Sequence, residues 1–162
     1  MKQLIALSLA LIMLCCVFSG CQSSQQPATE PTYNMGYGLD AMQYCLFLNK
    51  QSTTVLNQLS THMVLALRVT NETKDNALES ARNSLTAIQD ARYEVDIMCP
   101  PAEYANNRVN TLRLFDNAAA DIEQMIVALE CTPIDSAALS ALVEQMQTDF
   151  AALTAAFNVY YK

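Results

Sequence analysis

Residues 139–160 read LSALVEQMQTDFAALTAAFNVY, and the spacing of their large apolar side chains decides the fold class. Leu139, Leu142, Met146, Phe150, Leu153, Phe157 and Tyr160 recur at steps of three and four. On a helix of 3.6 residues per turn those steps line one face. A half-buried strand would alternate apolar and polar residues instead, and this segment does not. Just upstream, Thr132-Pro133-Ile134-Asp135 has the form of a helix start. Thr132 is placed as the cap, Pro133 in the first turn where its missing N–H costs nothing, and Asp135 as an early acid.

The same reading extends backwards along the chain. After Gly38 there is no glycine, and the prolines are Pro100, Pro101 and Pro133 alone. A long stretch without glycine, rich in Ala and Leu, reads as helix, with prolines as punctuation. The pattern predicts helices over 39–69, 73–98 and 101–130 ahead of the last one. Leu78, Ala81, Leu85, Ile88, Val95 and Cys99 mark the second stripe. Val109, Leu112, Ala119, Ile122, Ile126 and Leu129 mark the third. Each helix is expected to approach thirty residues, about 45 Å. Connections of a few residues force sequential helices to lie antiparallel. The fold expected for 39–162 is therefore an all-α, up-down-up-down four-helix bundle. A helical solenoid would need a repeat, and none is visible.

Residues 22–32 are polar, contain Pro27 and Pro31 and lack a large apolar side chain, which is the composition of a tether. Ahead of them, Lys2 supplies a positive start and residues 4–18 form an apolar run broken only by Ser8. That run suits a secretory signal core and is short for a membrane span of roughly 20 residues. Phe18-Ser19-Gly20-Cys21 closes it and resembles the lipobox of bacterial lipoproteins. The resemblance implies that residues 1–20 are a signal peptide and are removed. It also implies that the Cys21 thiol is diacylated, and that 21–38 is a flexible linker from an acylated cysteine to the bundle. The expected location is the extracytoplasmic face of the cell membrane, held by lipid on Cys21.

Charge agrees with that mode of attachment. The whole chain has nine Lys and Arg against sixteen Asp and Glu, and Lys2 is the one charged residue of the signal segment. The mature chain is therefore acidic. It would be repelled by nucleic acid and by anionic lipid, so acyl chains rather than basic side chains would have to hold it at a membrane.

Beyond Cys21 the mature chain has Cys45, Cys99 and Cys131. With a turn near residue 71, Cys45 falls opposite a position near 97, within a helical turn of Cys99. An oxidising compartment favours bonding of adjacent thiols, and a Cys45–Cys99 disulfide is expected. Cys131 lies at the opposite end and is expected to stay unpaired.

The chemistry that helical bundles often house finds few ligands here. A di-iron site needs Glu-x-x-His from two helices. The chain has one histidine, His62, with Leu59 three residues before it. No Cys and His spacing suits zinc, and no C-x-x-C-H suits covalent haem. Leu59 and Met63 hold the core stripe beside His62, so the histidine is expected in solvent or at the edge of the seam rather than on haem with Met125 or Met146. No base other than His62 is available for a serine or cysteine nucleophile. Asp90, Glu94 and Asp96 beside Arg92, and Asp116, Asp121 and Glu123 beside Arg113, read as solvated faces. No catalytic residue, metal or cofactor is expected.

One polar break remains in the first helix, the run NKQSTT over 49–54. Small polar groups there either bond across a narrowed core or open a cavity. Tyr44, Asn49, Ser52, Thr53 and Arg92 are the residues expected to line such a cavity. Together these readings predict a non-enzymatic module of the cell envelope that binds another envelope protein, with Tyr33, Tyr37, Tyr160 and Tyr161 as candidate contacts. The alternative is a bundle that captures a small molecule between helices in a sensory role.

Overall fold

The computed structural model describes residues 39–158. The signal segment, Cys21, the linker with Tyr33 and Tyr37, and the terminal Tyr160 and Tyr161 lie outside the described residues.

Four α-helices build the fold: α1 (Ala41–Ala66), α2 (Lys74–Ile97), α3 (Ala105–Glu130) and α4 (Ser136–Asn158). A single 3-10 turn, Ala102–Tyr104, precedes α3. Among the described residues there is no strand. α1 packs on α2, α2 on α3, α3 on α4 and α4 back on α1, and α1 also meets α3 across the middle. That is an all-α four-helix bundle in which α1 and α3 form the short diagonal. Two polar ties join the α1–α2 and α3–α4 connections at one end. The Asn71 Oδ1 accepts from the Ile134 N–H at 3.2 Å, and the Lys74 Nζ donates to the Cys131 carbonyl at 3.1 Å.

The local signals for these elements are readable. Asp40 caps α1 in a reciprocal box: its Oδ1 accepts the Gln43 N–H at 2.8 Å, and the Gln43 Oε1 accepts the Asp40 N–H at 3.3 Å. Such a box satisfies two of the donors that a helix start leaves open. The core is filled by Tyr44, Phe47, Leu48, Leu59, Ile88, Phe115, Ile122, Met125, Met146 and Leu153, all essentially closed to solvent. Fully burying a side chain of this size contributes about 1.5–3 kcal/mol. Tyr104 of the 3-10 turn stacks obliquely on Tyr44, ring centres 5.7 Å apart, and closes that end.

Four expectations need correction. The helices hold 26, 24, 26 and 23 residues, so they are about 35–39 Å long rather than 45 Å. α4 begins at Ser136, and its cap is Asp135 rather than Thr132: the Asp135 Oδ1 accepts the Ala138 N–H at 2.9 Å. Pro133 stands in the connection, not in the first turn. α3 buries Ile122 and Leu129 of the expected stripe, but the rest of its buried face is rotated from the one expected. Thr111, Leu114, Phe115, Ala118, Ile122, Met125 and Leu129 are buried, whereas Val109 is 64% exposed.

The fourth correction is the disulfide. Cys45, Cys99 and Cys131 are all free thiols. α1 ends at Ala66 and α2 starts at Lys74, so the turn centres on Thr70, not Asn71. Cys45 then stands level with Val95, which fills the core completely. Cys99 lies a further turn on, past the end of α2 at Ile97, and is exposed.

Candidate functional site

The five residues expected to line a cavity are not drawn together. Tyr44 and Ser52 are buried. Thr53 is exposed and donates along its own helix to the Asn49 Oδ1 at 3.3 Å. Arg92 turns towards α3, where its Nε meets the Asp116 Oδ1 at 2.6 Å and its Nη1 lies 3.7 Å from the Asp96 Oδ2. The arrangement keeps Arg92 charged and fastens α2 to α3 at the surface.

Polar groups enter the bundle interior at two other places. The first lies between α1 and α2. His62 is completely buried, not at the seam edge. Its Nδ1 donates to the Gln58 carbonyl at 2.9 Å, which leaves Nε2 to accept from the Ser80 hydroxyl at 3.5 Å. Burial lowers the His62 pKa, opposed by its hydrogen bonds, so the ring is held neutral. One turn away the Ser84 hydroxyl donates to the Gln58 Oε1 at 2.6 Å. Outside this layer an open polar groove of about 480 Å³ runs past Gln58, Asn76, Glu79 and Asn83.

The second lies between α3 and α4. Asp121, expected on a solvated face, is 2% exposed, and Asp149 across the seam is 5% exposed. Asp149 is well supplied with donors: the Asn117 Nδ2 reaches its Oδ1 at 2.9 Å and the Gln145 Nε2 reaches its Oδ2 at 2.6 Å. Asp121 has no such supply, and its buried Oδ2 meets no donor. Loss of hydration, followed by the charge and the hydrogen bond of Asp149, pushes the Asp121 carboxyl up to about 7. Gln145 also faces outward into an open groove of about 840 Å³ between the same helices, shared with Ala120, Gln124, Val127, Ala138 and Leu142.

The sequence did hold a signal for both acids. Asp149 follows Met146 by three residues and precedes Leu153 by four, and Asp121 stands likewise between Ala118 and Met125. Both therefore occupy the buried stripe.

The surface also carries large apolar side chains. Met42, Leu46, Leu67, Tyr93, Ile97, Val109 and Val127 are large and exposed. Five of them, all but Leu67 and Val127, belong to the end of the bundle where α1 and α3 begin and α2 finishes. Tyr93 and Val109 stand level with each other across the α2–α3 hairpin. Among the described residues no helix is long and apolar enough to cross a membrane. None of their His, Cys, Asp and Glu side chains gather in threes to hold a metal ion. The chain matches no protein-family model, no curated protein and no solved structure.

Proposed function

We propose that this protein is a lipid-anchored, extracytoplasmic helical bundle that serves as a non-enzymatic interaction module of the cell envelope. The observation that carries the reading is that Met42, Leu46, Tyr93, Ile97 and Val109 are all exposed towards one end of a bundle whose core is closed. Single apolar residues on a surface are ordinary, whereas several at one end of a bundle, with an aromatic member, suit a protein contact. It is the end at which the chain enters α1, so a tether from an acylated Cys21 would hold this surface near the bilayer, where a membrane-attached partner is within reach. The lipobox-like Phe18-Ser19-Gly20-Cys21 supports the anchoring half of the proposal, and the acidic balance of the chain supports attachment by lipid rather than by charge.

Crosslinking in native membranes followed by identification of the captured protein tests this reading. One dominant envelope partner is expected, and Tyr93→Lys together with Met42→Lys should abolish its capture while the bundle stays folded. Unchanged capture by the double variant would refute the contact surface. Release of Cys21→Ser into the soluble fraction is expected from the anchor, and its retention in the membrane would refute it.

A second reading, capture of a small molecule between helices, draws on the α3–α4 groove. That groove combines an apolar lining with Gln124 and Gln145, the mixture that small-molecule sites use. A ligand that co-purifies with the protein and is lost from Leu142→Arg would favour it.

A further inference from the structure

Asp121 and Asp149 are neighbouring buried carboxyls on the facing sides of α3 and α4, with an unequal supply of hydrogen-bond donors. Both oxygens of Asp149 accept side-chain amides, from Asn117 and Gln145. An ionised carboxylate is acceptor-only, and this is the environment that stabilises one. Asp121 is closed to water, and its Oδ2 meets no donor from the protein. A second ionised carboxylate there would be desolvated, would leave its Oδ2 without a donor and would stand beside a like charge, three costs that add. A proton on Asp121 removes all three at once. It neutralises the group and supplies the missing donor, an O–H directed at Asp149.

The neighbouring elements supply no cation that could replace that proton. α4 contains no Lys or Arg, and its other acid, Glu144, is exposed. On α3 itself Glu123 is exposed, Arg108 pairs with Asp96, Arg113 bonds to Asn110, and Asp116 and Glu130 are engaged by Arg92 and Arg82 of α2. Lys74 of α2 is occupied at the α3–α4 connection, and Asp75, Glu79 and Asp90 of that helix are exposed. From α1 the buried titratable groups are His62, which is engaged with Gln58 and Ser80, and Tyr44, which packs on Tyr104 at the other end of the bundle; Lys50 is exposed.

We propose that Asp121 and Asp149 form a one-proton carboxyl pair that latches α3 to α4, and that loss of the proton loosens this seam and the groove beside it. The step is a simple acid dissociation. The Asp121 O–H breaks, the proton leaves to solvent and the electron pair stays on the carboxylate, so a singly charged pair becomes doubly charged. The ion pairs of the bundle, Arg82–Glu130, Arg92–Asp116 and Arg108–Asp96, lie at the surface, outside this seam. Loosening is therefore confined to α3–α4, the hairpin that carries Gln145 between the pair and the groove.

Two measurements on the full mature chain decide the matter. The first is carboxyl carbon NMR of aspartate-labelled wild-type protein across pH. One aspartate should titrate near the pH of about 7 expected for Asp121, well above the others. A spectrum in which every aspartate titrates in the ordinary range below about 5 overturns the proposal. The second is the stability difference between wild type and Asp121→Asn, whose amide supplies the donor at every pH. The difference should shift in favour of the variant from about pH 5 to about pH 8 by more than tenfold in the folding equilibrium, that is by more than one pKa unit of linkage. A difference independent of pH overturns the proposal. The NMR result stands on wild type alone if the variant does not fold.

Discussion

The α1–α2 and α3–α4 hairpins each bury a titratable side chain at nearly the same height. His62 stands level with Leu78 across the first turn, and Asp121 stands level with Ala81 across the α2–α3 turn, within one helical turn of each other. The surroundings are opposite. His62 is buried in its neutral form with both ring nitrogens engaged, so the α1–α2 inclusion is complete without a charge. Asp121 is buried beside a carboxylate with one oxygen lacking a donor, so the α3–α4 inclusion is complete only with a bound proton. A buried polar group is stabilising or costly according to its partners, not its burial.

The signs of the two pH dependences follow. His62 has its folded pKa lowered by burial. The unfolded chain then binds the proton more readily, and the α1–α2 hairpin loses stability as pH falls below the ordinary value of 6.5. Asp121 has its folded pKa raised from 3.8 to about 7. Its contribution is fully present below the unfolded value and is lost as pH rises from there through about 7. The two hairpins are therefore strained by opposite changes in pH.

The largest expected effect comes from stripping Asp149 of its donors. Asn117→Leu with Gln145→Leu leaves a buried carboxylate without amides, and a loss of about 3–5 kcal/mol is expected in chemical denaturation at neutral pH. A loss below about 1 kcal/mol would mean that Asp149 is not charged in the fold. Next is Asp121→Asn, with a gain of about 1–3 kcal/mol at pH 8 and little change at pH 5, read from denaturation midpoints. In the other hairpin, Ser84→Ala removes the donor to Gln58 and should cost about 1 kcal/mol at either pH. A strong pH dependence in that variant would erase the contrast between the hairpins. Smallest is Arg92→Ala. Its ion pairs with Asp116 and Asp96 are half exposed, and a loss under about 1 kcal/mol is expected, shrinking further in salt.

The extent to which the sequence revealed this molecule differs along the chain in the same way. α4 was legible because Leu139, Leu142, Met146, Leu153 and Phe157 are bulky and evenly spaced, and all are buried. α3 was not, because Val109, Leu112, Ala119 and Ile126 make a second stripe around the helix from Leu114, Phe115, Ala118 and Met125. The choice between the stripes rests on which neighbours have room for Phe115 and Met125, a tertiary matter. Asp121 was read as solvated because a lone acid in a helix usually is. Its partner Asp149 lies on another helix, so the pairing that keeps it inside has no local signature. The expected Cys45–Cys99 bond depends on an α1–α2 turn centred at Asn71, one residue past its place at Thr70. On an antiparallel pair that displaces the facing register enough to bring Cys99 towards Cys45, where Val95 in fact stands.

Hydrogen exchange of the mature protein, read separately for α1–α2 and α3–α4 peptides after correction for intrinsic rates, tests the central contrast most directly. Exchange in α3–α4 should quicken as pH rises through about 7 while α1–α2 holds, and exchange in α1–α2 should quicken as pH falls well below 6.5 while α3–α4 holds. Both hairpins loosening together at each extreme would contradict it.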